Sequence, residues 1–158
     1  MRKNTFRLTE SQLHRMIKES VRQVLKESID DKSIVEAFLE ENEMYNAPIE
    51  WITNNKFVDA HGCDGYIFNS EDDAINSLMN GDNYQNAIDY VNTSQSEEEW
   101  VRYLINGGVK PQIANSIIQN QDWDKVIEII IDTVGPEWFL SQYSGEVHEL
   151  PNGKLLYY

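Results

Sequence analysis

The sequence predicts an α+β fold that is mostly helical, on two observations. Apolar residues recur at intervals of three and four along most of the 158 residues, and capping residues or glycines punctuate these runs. Two pairs of short β-prone runs surround turn sequences, one at residues 61–65 and one at Asn152-Gly153. A chain of this length buries about 70% of its unfolded surface. We therefore expect a hydrophobic core that needs no disulfide or metal.

The first helix is predicted from about Glu10 to Glu27. Thr9 and Gln12 have the spacing of a capping box. The apolar residues of the helix recur at helical spacing and form one stripe: Leu13, Met16, Ile17, Val21, Val24 and Leu25. Four cations flank this stripe or lie opposite it: Arg15, Lys18, Arg22 and Lys26. The predicted helix is therefore amphipathic and basic.

The charge of the chain is divided unequally along its length. Residues 1–28 contain seven Lys or Arg and three Asp or Glu, a net charge of +4, whereas residues 29–158 carry −18 of the total of −14. Residues 28–33 are a polar break between the two parts. We therefore predict a separate docking helix over residues 1–28 and an acidic globular domain over residues 29–158.

The acidic domain is predicted to alternate short helices with two β-hairpins. Ser33 and Glu36 have the spacing of a second capping box and predict a helix start, and Asn46-Ala-Pro48 predicts its end. Further helices are expected from Ser70 to Gly81, over 84–91, as a three-helix unit over 97–134, and for a turn or two after Pro136. The hairpins are expected over residues 56–68 and 146–158.

No motif for catalysis, metal binding or cofactor binding stands out. His61, Cys63 and Asp64 are close in sequence, but a Gly-rich turn does not supply the geometry of an activated nucleophile. One cysteine and three histidines lack zinc-ligand spacing, and phosphate-binding glycine motifs are absent from the sequence. We expect a non-enzymatic protein without cofactor or metal.

Composition also predicts a location. A single cysteine suits a reducing compartment, and no run of 18 apolar residues is present. We expect a soluble, intracellular protein with no membrane span. The body has aromatic residues but no basic groove, so direct binding of nucleic acid by the body is not expected.

Two sets of carboxylates follow helical spacing in the acidic domain: Glu36, Glu40 and Glu43, and Asp124, Glu128 and Asp132. Neighbours one helical turn apart lie about 5–6 Å from each other, close to the roughly 7 Å between DNA phosphates. These stripes suggest a DNA mimic that inhibits a host defence protein or another DNA-binding protein. The simpler interpretation is a solvated face, together with acids that favour helix N-termini.

The stretch RLTESQLHRMIKESVRQVL resembles an N-terminal tag of small, otherwise unrelated proteins of tailed phages and of phage-like elements of Bacteroidetes. The match rests on Arg7, Leu8, Thr9, Glu10, Ser11, Leu13, Ile17, Lys18, Glu19 and Ser20. The closing SQYSGEVHELPNGKLLYY is similar to the tail of small phage-type proteins. A tag shared by unlike bodies implies delivery to a common partner, such as a component of the virion, in the bacterial host cytoplasm.

Residues 97–134 resemble the three-helix ubiquitin-associated-like module. The positions that pack its core correspond to Leu104, Gly108, Ala114, Ile117, Val126 and Ile127. Its usual Met-Gly-Phe loop is Gly107-Gly108-Val109 here, so the aromatic residue that binds partners is missing. The resemblance implies three-helix packing and no specific partner.

These observations lead to one main functional hypothesis. We expect a phage or prophage accessory protein that the apolar stripe of the first helix docks onto a partner protein. In the competing interpretation the same helix packs on its own acidic body and neutralises part of its charge. The DNA-mimic inhibitor is the alternative function.

Overall fold

The computed structural model describes residues 9–28, 30–44 and 48–158, with side chains of the first range described only as far as Val24. In this part of the chain there are eight helices and one five-stranded antiparallel sheet, which confirms the predicted α+β class. The helices are α1 (Glu10–Ser28), α2 (Asp31–Glu41), α3 (Glu71–Asn80), α4 (Tyr84–Ser94), α5 (Glu97–Asn106), α6 (Pro111–Gln119), α7 (Trp123–Thr133) and α8 (Glu137–Leu140). The strands are β1 (Ile49–Trp51), β2 (Lys56–Asp59), β3 (Asp64–Phe68), β4 (Val147–Glu149) and β5 (Leu155–Tyr157).

The sheet joins two hairpins that are far apart in sequence. Its strand order is β1-β2-β3-β5-β4. The hairpins β2–β3 and β4–β5 both form as predicted, and β1 adds an edge strand that the sequence did not reveal. Strand β3 pairs with β5, placing Tyr66 opposite Tyr157 and Ile67 opposite Leu156. Helices α3 to α8 are therefore an insertion between two neighbouring strands.

Each face of the sheet covers its own hydrophobic core, because side chains alternate along a strand. The first core lies between the sheet and α2; its buried residues are Ile34, Val35, Leu39, Phe57, Ile67, Leu150, Leu156 and Tyr158. The second core lies on the other face, where Tyr66 and Tyr157 pack with the inserted helices. The fold is thus three layers, with α2 and the inserted helices on opposite faces of the sheet.

The start of α2 differs from the prediction. The N-cap is Asp30, whose Oδ1 accepts a hydrogen bond from the N–H of Ser33 at 3.0 Å. The Glu36 carboxylate does not close a capping box but accepts from Nε1 of Trp51 at 3.1 Å. Asp and Ser are about equally good N-cap residues. With the earlier start, Asp31 contacts Asn152 and Lys154.

The end of α2 also comes earlier than predicted. The helix stops at Glu41, and the side-chain Nδ2 of Asn42 donates to the main-chain oxygen of Phe38 at 2.8 Å. Residues 46 and 47 of the predicted stop lie outside the described residues. Glu43 has a φ of 55°, in the left-handed region, so it does not continue the helix.

The inserted helices begin and end close to the predicted positions. Ser96 and Glu99 make the two reciprocal hydrogen bonds of a capping box at the start of α5. Helices α5, α6 and α7 cover the three-helix unit, and five of its expected core positions are buried: Leu104, Ala114, Ile117, Val126 and Ile127. Gly108, the sixth, is exposed in the turn after α5, so its prediction as a core position is wrong. Helix α7 also packs against α3 and α4, so these residues belong to a larger core.

A buried hydrogen-bonded cluster ties the end of β2 to the end of β5. The Asp59 carboxylate accepts from the N–H groups of His61 and Cys63 and from the hydroxyl of Tyr158, each at 2.8 Å. Burial raises the pKa of Asp59, but these hydrogen bonds outweigh it and hold the pKa below its ordinary value. The ionised carboxylate therefore contributes stability to the fold.

Gly65 allows the ring of Phe57 to lie against the backbone of β3. A Cβ at this position would lie 2.0 Å from Cζ of Phe57. We expect Gly65→Ala to lower the free energy of unfolding by about 1–3 kcal/mol or more, as overpacking does. Urea unfolding measures this change. Gly107→Ala is the control, since its Cβ would meet nothing closer than 3.5 Å; equal losses for both variants would contradict the packing argument.

The Asp59 cluster predicts a specific pH dependence. A carboxylate with a lowered pKa stabilises the fold above its unfolded pKa of about 3.9, and the gain is lost as pH falls through the folded pKa. We expect Asp59→Asn to be less stable than the wild type at pH 7, with the difference shrinking below about pH 4. Urea unfolding at pH 7 and pH 3 tests this. Asp82→Asn, at an exposed residue, is the control and should leave the free energy of unfolding unchanged at both pH values.

Candidate protein-binding helix

The apolar stripe of α1 lies largely exposed on the described structure. The exposed fractions of its side chains run from 47% for Leu13 to 60% for Val24, with Met16, Ile17 and Val21 at 51%. Thr9 and Gln12 make the predicted reciprocal hydrogen bonds, at 2.9 and 3.2 Å, so the helix start is capped. A capped helix with a largely exposed apolar face has the form of a helix-in-groove ligand.

The cations of α1 have different environments. Nε of Arg15 lies 3.4 Å from Oε1 of Glu19 within the helix. Arg22 instead forms an ion pair with Glu149 on β4, which is distant in sequence. Lys18 faces the same side as Arg22, in the groove described next. Leu25 and Lys26, also predicted for this surface, have side chains outside the described residues.

An open groove separates α1 from the body. Its volume is about 570 Å³, and Val21, Phe38, Leu150 and Pro151 supply its apolar wall. Its polar rim consists of Lys18, Arg22, Glu41, Asn42 and Glu149. Among the described residues, the Arg22–Glu149 ion pair links α1 to the body, and the apolar faces on both sides of the groove are incompletely covered. The structure lies between the two expected arrangements, since α1 touches the body yet keeps its stripe accessible.

Sequence reasoning missed the body side of this groove. Phe38 comes from α2, whereas Glu149, Leu150 and Pro151 come from the C-terminal hairpin, more than 100 residues later. The β3–β5 pairing and the packing of α2 on the sheet bring these segments together. No local spacing in the sequence carries that information, so periodicity alone could not have found them.

The two predicted acidic stripes have different outcomes. Glu36 and Glu40 lie exposed on α2, but Glu43 lies beyond the end of the helix and does not share their face. The prediction of a three-residue stripe on α2 is therefore wrong, because the helix stops at Glu41. In addition, the carboxylate of Glu36 is bonded to Trp51.

The second acidic stripe lies on one helix. Asp124, Glu128 and Asp132 are all exposed on α7. Two of them are engaged within the chain: Oδ1 of Asp124 accepts from the hydroxyl of Tyr84 at 2.8 Å, and Glu128 pairs with Lys125 at 2.5 Å. These contacts reduce the number of carboxylates that are free to face a partner.

His61, Cys63 and Asp64 do not converge on one point. The Cys63 side chain packs against the α2 core, whereas Asp64 is paired with Lys56 at 3.1 Å. Burial, and then the charges of Asp59 and Asp64, raise the pKa of the Cys63 thiol. A raised pKa lowers the thiolate fraction that nucleophilic chemistry needs. Within the described ranges, no group of three His, Cys, Asp or Glu is placed to hold a metal ion.

Comparison with family models, with curated proteins and with solved structures finds no match for this chain. No helix in the described part of the chain is long and apolar enough to cross a membrane. The function must therefore be argued from the geometry of the protein itself.

The Arg22–Glu149 ion pair predicts how firmly α1 is held. A partly exposed pair contributes about 0.2–1 kcal/mol, so we expect Glu149→Gln to speed amide exchange in α1 by about 1.4- to fivefold at low salt. The difference should vanish in 1 M salt, where such charges are screened. Hydrogen exchange read by mass spectrometry measures this. Glu146→Gln, an exposed carboxylate three residues away, is the control; identical exchange in both variants would show that the pair does not hold α1.

Proposed function

We propose that this chain is a non-enzymatic accessory protein that α1 attaches to a partner protein. The single observation that carries the proposal is the exposed apolar stripe of α1, formed in its described part by Leu13, Met16, Ile17, Val21 and Val24. Burying such a stripe in a groove removes apolar surface from water, which is the main driving force of helix-in-groove binding. The acidic body is the cargo that the helix delivers.

The chemistry of α1 limits the kind of partner. Its stripe requires an apolar groove, and the flanking cation Lys18 favours carboxylates along the rim of that groove. Arg15 lies on the opposite side of the helix and acts at longer range. Arg22 contacts Glu149 on the body, and the helix begins at Glu10, about 18 Å further along the axis. This distance is roughly twice the Debye length of about 8 Å at physiological salt. The charge of −18 on the body therefore does little to repel an acidic partner from the far end of α1.

The identity of the partner follows from the resemblance of residues 7–25 to the phage tag. We propose that the partner is a component of a phage particle or of its assembly, met in the cytoplasm of the bacterial host. Docking through such a tag requires no catalytic activity of the acidic domain, which agrees with the absence of catalytic motifs from the sequence.

The alternative function, an acidic inhibitor of a DNA-binding protein, makes a different demand. It places the contact on the body, at Asp124, Glu128 and Asp132 with Glu36 and Glu40, and it needs a basic partner. Such binding weakens steeply with salt, whereas burial of an apolar stripe is much less sensitive. The salt dependence of partner binding thus separates the two functions.

A pair of substitutions in the stripe tests the proposed function. We expect Ile17→Asp together with Val21→Asp to abolish capture of the partner, because two carboxylates would enter the apolar contact. The full-length chain and this variant serve as baits in a lysate of the phage-infected host, and mass spectrometry identifies the captured proteins. Circular dichroism checks that α1 remains helical.

Arg15→Asp is the matched control. It changes the net charge by the same −2, but residue 15 lies about 160° around the helix from Ile17. We expect this variant to keep the same captured protein, with slower association at low salt. Equal loss in both variants would mean that charge alone drives binding. Capture that survives both variants would place the contact on the acidic body.

A further inference from the structure

A second cavity lies where α4 and α8 meet strand β3. Its volume is about 550 Å³, within the roughly 300–1,000 Å³ of small-molecule sites. Its side chains differ in character: Asp64 and Tyr66 come from β3, Leu78 from α3, Asn86 and Tyr90 from α4, and aromatic residues from α8. The groove beside α1 shares none of these residues.

Aromatic residues of the core pack against the aromatic wall of the cavity. Trp138 stacks on Tyr103 at a centroid distance of 6.2 Å and meets Trp100 edge-on at the same distance. Trp100 is fully buried, and its Nε1 donates to the main-chain oxygen of Val91 at 2.8 Å. Tyr90 contacts Trp138 edge-on at 5.4 Å but remains 46% exposed. Tyr90 is therefore an accessible ring on a rigid support.

Amide groups supply polar contacts around the same cavity. The side chain of Asn86 is exposed and has no hydrogen-bond partner among the described residues. Oε1 of Gln142 accepts from the N–H of Asp64 at 3.0 Å, which leaves its NH₂ group as a donor. Nδ2 of the buried Asn83 donates to Oγ of Ser77 at 2.8 Å, which leaves its oxygen as an acceptor. Donors and acceptors thus border one space.

The lining carries almost no net charge. Asp64 is its only carboxylate, and Nζ of Lys56 lies 3.1 Å from Oδ2 of that residue. The hydroxyl of Tyr66 donates to the same oxygen at 2.9 Å, and burial, with Asp64, raises the pKa of Tyr66, so the phenol stays neutral. No Lys, Arg or His is among the lining residues. Phosphate and carboxylate ligands would find no cation there.

We infer that this cavity binds a neutral sugar unit. A pyranose ring offers a face of C–H groups to an aromatic ring, whose face is electron-rich, and hydroxyls to the amides and to Asp64. Tyr90 is the most exposed ring of the described lining, and Trp138 and Phe139 are half-buried. One well-exposed ring fits a sugar better than a nucleobase, which gains most from stacking on flat surfaces. This site is independent of the proposed docking by α1.

Saturation-transfer NMR on the full-length chain tests the inference. The probes are D-glucose, D-galactose and N-acetyl-D-glucosamine, with glucose 6-phosphate and adenosine as comparison compounds. We expect saturation transfer to at least one neutral sugar and a shift of the Trp138 indole N–H signal on titration. An immobilised glycan that ends in the same sugar distinguishes a free sugar from a glycan terminus as the source.

Two variants locate the binding. We expect Asn86→Ala to weaken it by about three- to tenfold, the effect of one lost hydrogen bond, and Tyr90→Ala by about tenfold or more. Asn86→Ala removes no hydrogen bond within the described residues, so it remains informative if Tyr90→Ala fails to fold. Tyr143→Ala, an exposed tyrosine outside the cavity, is the control.

Three results would overturn the inference. These are the absence of saturation transfer to every neutral sugar at millimolar concentration, unchanged affinity in both Asn86→Ala and Tyr90→Ala, and stronger binding of glucose 6-phosphate or adenosine. The Ile17→Asp, Val21→Asp variant should bind the sugar like the wild type, so failure of one proposal does not affect the other.

Discussion

The pairing of β3 with β5 is the contact on which the rest of the structure depends. It joins residues about 90 positions apart and turns two separate hairpins into one sheet. Both cores need that sheet, since Ile67 and Leu156 face α2 while Tyr66 and Tyr157 face the inserted helices. The same pairing sets Glu149 and Leu150 opposite α1 and so completes the groove. A single ladder therefore positions the candidate binding surfaces on both sides of the molecule.

The helices were largely predictable because their signals are local. Ser70 and Ser96 cap the helices that follow them, and Gly81 ends α3, as the sequence indicates. The predicted start of α2 was wrong because two residues three positions apart, Asp30 and Ser33, can both act as the N-cap. Asp30 is used instead of Ser33 because the longer helix gains distant contacts, from Asp31 to Asn152 and Lys154. Tertiary contacts thus decided between starts that local spacing left nearly equal.

The binding surfaces were predictable only in part, for the same reason. The stripe of α1 repeats every three or four residues and is readable from the sequence. The groove wall at Phe38 and Pro151 and the cavity at Tyr90 and Gln142 combine segments that no local pattern links. Edge strand β1 has three residues, too few for alternation to be recognised. For the groove and the cavity, what the sequence lacks is the long-range packing that joins these segments.

The insertion of α3 to α8 between β3 and β5 has a consequence for the order of folding. Contacts among α4, α5, α6 and α7 close short loops, whereas the β3–β5 ladder closes a loop of about 90 residues. Closing a long loop costs more chain entropy before any contact repays it. We expect the helical insertion to assemble first and to bring the two hairpins near each other. The assembled helices would then shorten the effective loop between β3 and β5 and so lower the entropy cost of pairing them.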